Sequence, residues 1–161
     1  MSDAIILFSH GSVLCGAGQN LFELARFMRE RGDASIVEVG FLNYSEPPFV
    51  EVFRHCVEQG ATNITVVPYF LVAGKFVKED LPKQIEQVES TFPHVEVRVA
   101  DAFRFHPLLA DALLACAERA QPPAFWRNTK AQVAQFCRAN PRCPLYGTED
   151  CPATRAVEVI A

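Results

Sequence analysis

Four apolar runs, the first three closed by Ser, Asn or Gly, alternate along the chain with segments whose apolar residues recur at helical spacing. The first run, Ala4-Ile5-Ile6-Leu7-Phe8, stops at Ser9-His10-Gly11-Ser12. Residues 16–31 follow as a helix with Leu21, Leu24, Ala25 and Met28 on one face, and Gly32 is the stop expected after it. Residues 35–42, rich in Ile, Val and Phe, form the second strand, and Asn43-Tyr44-Ser45-Glu46-Pro47-Pro48 breaks it and opens a helix running through Val57. The third run, 64–71, is almost unbroken, as a central parallel strand covered on both faces requires. A helix over 79–90 with Lys83, Gln84 and Gln87 outward precedes an alternating strand, 95–99. Pro107 then starts a helix over 108–120, with Leu109, Ala112, Leu113 and Cys116 as its apolar stripe.

Strands alternating with helices at this spacing predict an α/β fold with a four-stranded parallel sheet flanked by helices, occupying residues 1–121. After Gln121-Pro122-Pro123 the composition changes: 124–139 reads as a further helix and 140–153 as irregular, so 122–161 is a Cys- and Pro-rich C-terminal extension. At 161 residues the chain supports one good core and is short for two ordinary domains. A net charge of -4 points away from nucleic acid and other polyanions. Without a long apolar span or a signal-peptide pattern, the expectation is a cytoplasmic protein that does not enter a membrane.

The six cysteines do not read as a secreted disulfide scaffold. Cys56 and Cys116 fall in helical patterns as small buried apolar residues. Cys137, Cys143 and Cys151 contain no Cys-x-x-Cys pair, and four readings stay open for them: an iron-sulfur cluster, a zinc site, a redox disulfide or plain thiols.

In open α/β sheets ligands bind beyond the carboxyl ends of the strands, which makes His10 a candidate for chemistry by position alone. An imidazole there can bind a metal, move a proton or only order the turn. Ser9-His10-Gly11-Ser12 lacks the spacing of a phosphate-binding P-loop and of a nucleophile elbow. The segment after the third strand brings Lys75 and Lys78, either a solvated surface or a contact for an anionic ligand, together with apolar residues able to floor a large flat one. His55 and His94 read as surface residues and His106 as structural.

Taken in order, Ser9-His10-Gly11-Ser12, Phe41-Leu42-Asn43-Tyr44-Ser45-Glu46-Pro47, Gln59-Gly60-Ala61, Val67-Pro68-Tyr69-Phe70-Leu71 and Asp80-Leu81-Pro82 resemble the short class II chelatases. These are the sirohydrochlorin cobalt and iron chelatases, and the likeness runs from about Ala4 to Ala120. It implies a chelatase-like (flavodoxin-like) fold and insertion of a divalent metal, cobalt or iron, into sirohydrochlorin or a related tetrapyrrole, in a homodimer. His10 would be the catalytic residue and a metal ligand. Ser9, Ser12, Asn43, Tyr69, Phe70, Leu71, Gly74, Lys75, Phe76 and Lys78 would contact the substrate, with Arg104 beside the lysines at its carboxylate rim.

The family commonly has a second histidine where this chain has Phe76, and many members have a glutamate where it has Asn43. Glu46 and Glu79 are therefore the candidate further metal ligands, although Glu46 and Asp80 also suit the starts of helices. The same departures leave a non-catalytic tetrapyrrole or metal carrier as an alternative. A thiol or iron-sulfur module using the tail cysteines is another.

Overall fold

Side chains of the first strand divide by parity, and that division sets the two layers of the core. The computed structural model describes residues 3–12, 18–126 and 147–148. In β1 (Ala4–Ser9), Ala4, Ile6 and Phe8 enter one cluster while Leu7, with Ile5 beside it, enters the other. The first cluster is closed by α2 (Phe49–Glu58) and α3 (Leu81–Thr91), through Phe49, Phe53, Leu81, Ile85 and Val88. The second is closed by Leu21 and Ala25 of α1 (Gln19–Arg31) against Val37, Val39 and Phe41 of β2 (Ile36–Phe41). Phe8, Phe49 and Phe53 are fully buried, each contributing about 1.5–3 kcal/mol of transfer free energy.

The expected four-stranded parallel sheet is present, in the order β2-β1-β3-β4, with β3 at Asn63–Pro68 and β4 at Glu96–Val99. The chain moves to one side from β1 to β2 and to the other at β3, so the strand order reverses between β1 and β3. Such a reversal opens a crevice at the carboxyl edge, where ligands bind in this class of sheet. At the opposite edge the Asp3 carboxylate joins the starts of β1 and β3. Its Oδ2 accepts from the Thr62 amide (3.0 Å) and hydroxyl (2.9 Å) and from the Asn63 amide (3.0 Å) and Nδ2 (3.1 Å). Those donors, Asn63 foremost, hold its pKa down at about 2.

Gly32 ends α1 as expected, at φ 75°, its amide donating to Arg29 O while the Asp33 amide reaches back to Met28 O. Three expectations change. The third strand ends at Pro68 rather than Leu71, because proline has no N–H and the Phe70 amide turns back to Pro68 O at 2.9 Å. The third helical segment starts at Phe76 rather than Glu79, with one wide π turn over Phe76–Asp80, and Asp80 makes no side-chain capping bond to α3. Cys56 is buried as expected, but Cys116 is exposed.

The described residues fall into two compact units, one of residues 3–12 and 18–104 and one that includes residues 105–126. The first holds the sheet and the helices described so far. Within the second, α4 (Pro107–Glu118) begins under a cap: the His106 Nδ1 accepts the Leu108 amide at 3.3 Å, the structural role expected of it. Apolar residues run all round α4, so no single stripe buries them, and Leu108, Leu113 and Leu114 are exposed. A short helix, α5, covers Pro123–Trp126. Most of the expected 124–139 helix, and Cys137, Cys143 and Cys151, lie outside the described residues. No helix among the described residues is long and apolar enough to cross a membrane.

Candidate functional site

His10 leaves the end of β1 half-buried, and the loop after β2 is fastened along it. Ser9 O accepts the Leu42 amide and His10 O the Asn43 amide, both at 2.9 Å. The Ser12 amide donates to Ser45 Oγ at 3.0 Å. Gly11, at φ 86°, lets the two backbones touch, since a Cβ there would stand 1.8 Å from Asn43 O. The β2 loop closes on itself in turn: the Phe41 amide donates to Pro47 O at 3.0 Å and the Ser45 amide to Asn43 O at 2.7 Å. The latter bond makes a three-residue turn with Tyr44 at its centre, at φ 60°.

Rings surround the imidazole. Phe76 lies 4.1 Å from it, centroid to centroid and tilted by 32°, and Tyr44 stands edge-on at 5.5 Å. Phe76 is 6.1 Å from Phe70, which is 6.2 Å from Phe8, which packs edge-on against Phe49 at 5.4 Å. A continuous file of rings thus runs from the buried core to His10. The His10 Nδ1 is 3.2 Å from Gly11 O. A carbonyl oxygen can only accept, so in a neutral ring Nδ1 carries the hydrogen and Nε2 keeps the lone pair.

The loop after β3 forms the other wall. The Tyr69 amide donates to Phe8 O at 2.7 Å, and Phe70 O and Leu71 O accept from Phe103 and Arg104 at 2.9 and 3.0 Å. Tyr69 packs edge-on against Phe103 at 5.5 Å and, like Leu71, is exposed. Both the Val77 and Lys78 amides donate to Gly74 O, which fixes Gly74 at the start of the wide turn. Lys75, Lys78 and Glu79 are exposed along it.

His10, Asn43 and Phe76 are therefore drawn together, and Ser9 and Ser12 serve the loop junction through their backbone. Asn43 is exposed and is held through its main chain. Among the described residues no three His, Cys, Asp or Glu side chains stand close enough to hold a metal ion, so His10, Glu46 and Glu79 do not form a preformed triad. Arg104, expected at the carboxylate rim, is already engaged: its Nε donates to Asp101 Oδ2 at 2.6 Å, which lowers the Asp101 pKa. His55 and His94 are exposed, as expected. Sequence reasoning missed Tyr44 and Ser45. Their only signal was membership of the turn cluster after β2, because no periodicity marks a ring that a turn delivers.

A family model described as CbiX matches residues 4–120. A sirohydrochlorin ferrochelatase of Priestia megaterium is 35% identical over 113 residues, covering 70% of this chain and 42% of the relative. A sirohydrochlorin cobaltochelatase of Methanopyrus kandleri is 39% identical over 82 residues, covering 51% of this chain and 57% of the relative. The chain thus spans about half the length of these relatives. Among solved structures, the sirohydrochlorin chelatase SirB from Bacillus subtilis subspecies spizizenii, in complex with cobalt, superposes with a TM-score of 0.68 at 25% identity, covering 84% of this chain and 61% of that one. SirB from Bacillus subtilis with Fe3+ gives 0.67 at 28% identity, covering 76% and 49%.

Proposed function

The chain belongs to the CbiX family, and from that premise we propose that it inserts a divalent ion, Co²⁺ or Fe²⁺, into sirohydrochlorin or a closely related tetrapyrrole. The observation that carries the proposal is His10 at the β1–β3 reversal, with its Nδ1 against Gly11 O and an aromatic wall beside it. The names of the relatives support the substrate, and the SirB structures with cobalt and with Fe3+ support the choice of metals.

Insertion exchanges two pyrrole N–H protons for one divalent ion, so the protein must accept protons or guide the metal. A neutral imidazole with its Nε2 lone pair can take a pyrrole proton and pass it to water, one at a time, or act as a borderline ligand to the incoming ion. In this reading Phe76, Phe70, Tyr69 and Leu71 lie against the face of the macrocycle. Lys75 and Lys78 meet its carboxylates. Exposed ion pairs contribute only about 0.2–1 kcal/mol each, so the lysines orient the macrocycle more than they hold it. The amide of Asn43 does not replace a carboxylate as a base, which leaves proton transfer to His10. A homodimer, which the resemblance to short chelatases implies, and a cytoplasmic location belong to the same reading.

The test is to mix purified protein, sirohydrochlorin and Co²⁺ or Fe²⁺ and follow the absorbance change beside a His10→Ala variant. Wild type should run well above the variant, which should fall to the uncatalysed rate. If the two rates coincide while the macrocycle still binds stoichiometrically, the protein is a carrier and the catalytic proposal is wrong.

A further inference from the structure

Building on His10 as the working imidazole, we propose that Tyr44 is a positioning residue. Together with Phe76 it brackets the His10 ring and holds it in the orientation that protonates Nδ1 and leaves Nε2 its lone pair.

Tyr44 is 57% exposed, so burial in the core does not account for its place. Its backbone sits at φ 60°, a region where a bulky residue is an outlier and where Gly or Asn would be at ease. Such conformations persist only where the surroundings over-determine them, and they gather at functional sites. Here the surroundings are explicit: the Asn43 amide is bonded to His10 O, the Ser45 amide to Asn43 O, and Ser45 Oγ receives the Ser12 amide. The three bonds fix the turn to the histidine loop itself, and the turn brings the phenol ring edge-on to His10 at 5.5 Å. Phe76 occupies a position 4.1 Å away and is anchored through Phe70 to the core.

An imidazole without such neighbours can turn by half about its Cβ–Cγ bond, which puts a C–H where Nδ1 faces Gly11 O and replaces Nε2 by a carbon. In water the neutral ring favours the Nε2–H form. The two rings keep the imidazole where Nδ1 meets Gly11 O, and that contact selects the Nδ1–H form, so the lone pair stays on the nitrogen that the proposed proton transfer needs. His106 provides an internal contrast, because its Nδ1 accepts the Leu108 amide and its hydrogen must therefore sit on Nε2.

The experiment is ¹⁵N-histidine labelling of the full chain with two-bond proton–nitrogen correlation, His10 being assigned by its loss in His10→Gln. It is run on wild type, Tyr44→Phe and Tyr44→Asn; asparagine suits the turn and removes the ring. Wild type and Tyr44→Phe should show His10 protonated at Nδ1, opposite to His106, while Tyr44→Asn should show a mixture dominated by Nε2–H. In the insertion assay Tyr44→Asn should lose about tenfold in kcat with KM changed less than about twofold, and Tyr44→Phe should stay within about twofold of wild type. An unaltered His10 tautomer in Tyr44→Asn overturns the proposal. So does a loss in Tyr44→Phe equal to that in Tyr44→Asn, which would give the hydroxyl a direct role on the substrate. The tautomer is read without any substrate, so a wild type that inserts no metal sinks the chelatase reading and leaves this result to be judged by itself.

Discussion

Replacing Gly11 by alanine tests whether contact between the first two loops holds the site together. Two effects add at this position. A left-handed backbone costs a residue with a Cβ about 1–2 kcal/mol. The new methyl would also lie 1.8 Å from Asn43 O, where carbon and oxygen normally stay about 3.3 Å or more apart, so the loops must part by roughly 1.5 Å. Parting them stretches the bond from the Asn43 amide to His10 O and the one from the Ser12 amide to Ser45 Oγ, each contributing about 0.5–1.5 kcal/mol. The expected loss is about 2–5 kcal/mol. Gly32→Ala is the control, because Gly32 has a similar φ of 75° but nothing within 4 Å of the added Cβ, so only about 1–2 kcal/mol is lost. Urea unfolding should separate the two variants by about 1–3 kcal/mol, and melting by roughly 2–12 °C, at about 2–4 °C per kcal/mol for a chain of this size. Only Gly11→Ala should also slow metal insertion. Equal unfolding midpoints, with activity intact in both, would refute the claim that this contact organises the site.

Three further outcomes follow from the geometry. Asp3 has a folded-state pKa of about 2, below its ordinary 3.8, so its stabilising contribution is complete above about pH 4 and disappears as the pH falls toward 2. Asp3→Asn should therefore melt earlier near neutrality and lose less than wild type over that acid window; parallel curves would show that the carboxylate charge does not matter. Burial pushes the Cys56 thiol up to about 12, whereas Cys116 is exposed. Ellman's reagent on native protein should lose one fast-reacting thiol in Cys116→Ser and none in Cys56→Ser, and the reverse pattern would contradict the burial. Phe76→His puts a second imidazole beside His10, so Co²⁺ titration without macrocycle should show tighter binding than wild type. Unchanged affinity would place position 76 outside reach of the ion.

The file of rings also bears on how substitutions in the core reach the site. Phe49 and Phe8 are buried, Phe70 and Phe76 are half-buried, and His10 is the next ring in the series. Close packing transmits small displacements along such a file, because a gap at one ring forfeits contacts at the next.

The sequence by itself determined the sheet and its loops: four apolar runs, their breakers and the helical spacing between them were enough to predict a parallel α/β fold with His10 at a strand's carboxyl end. Those features are local or periodic, and burial enforces them. It also carried the chelatase resemblance, because short motifs kept one order along the chain. Only the tertiary structure decided which residues stand beside His10. Tyr44 reaches it through a left-handed turn and Phe76 through a wide helical turn that periodicity placed three residues later, while the close approach of Gly11 to a backbone oxygen 32 positions away fastens the β2 loop beside it. Arg104, expected at the substrate's rim, also pairs with Asp101, which the sequence did not indicate. Each outcome depends on where a loop's backbone turns and on what it meets there. Such contacts join residues remote in sequence, and no pattern along the chain records them.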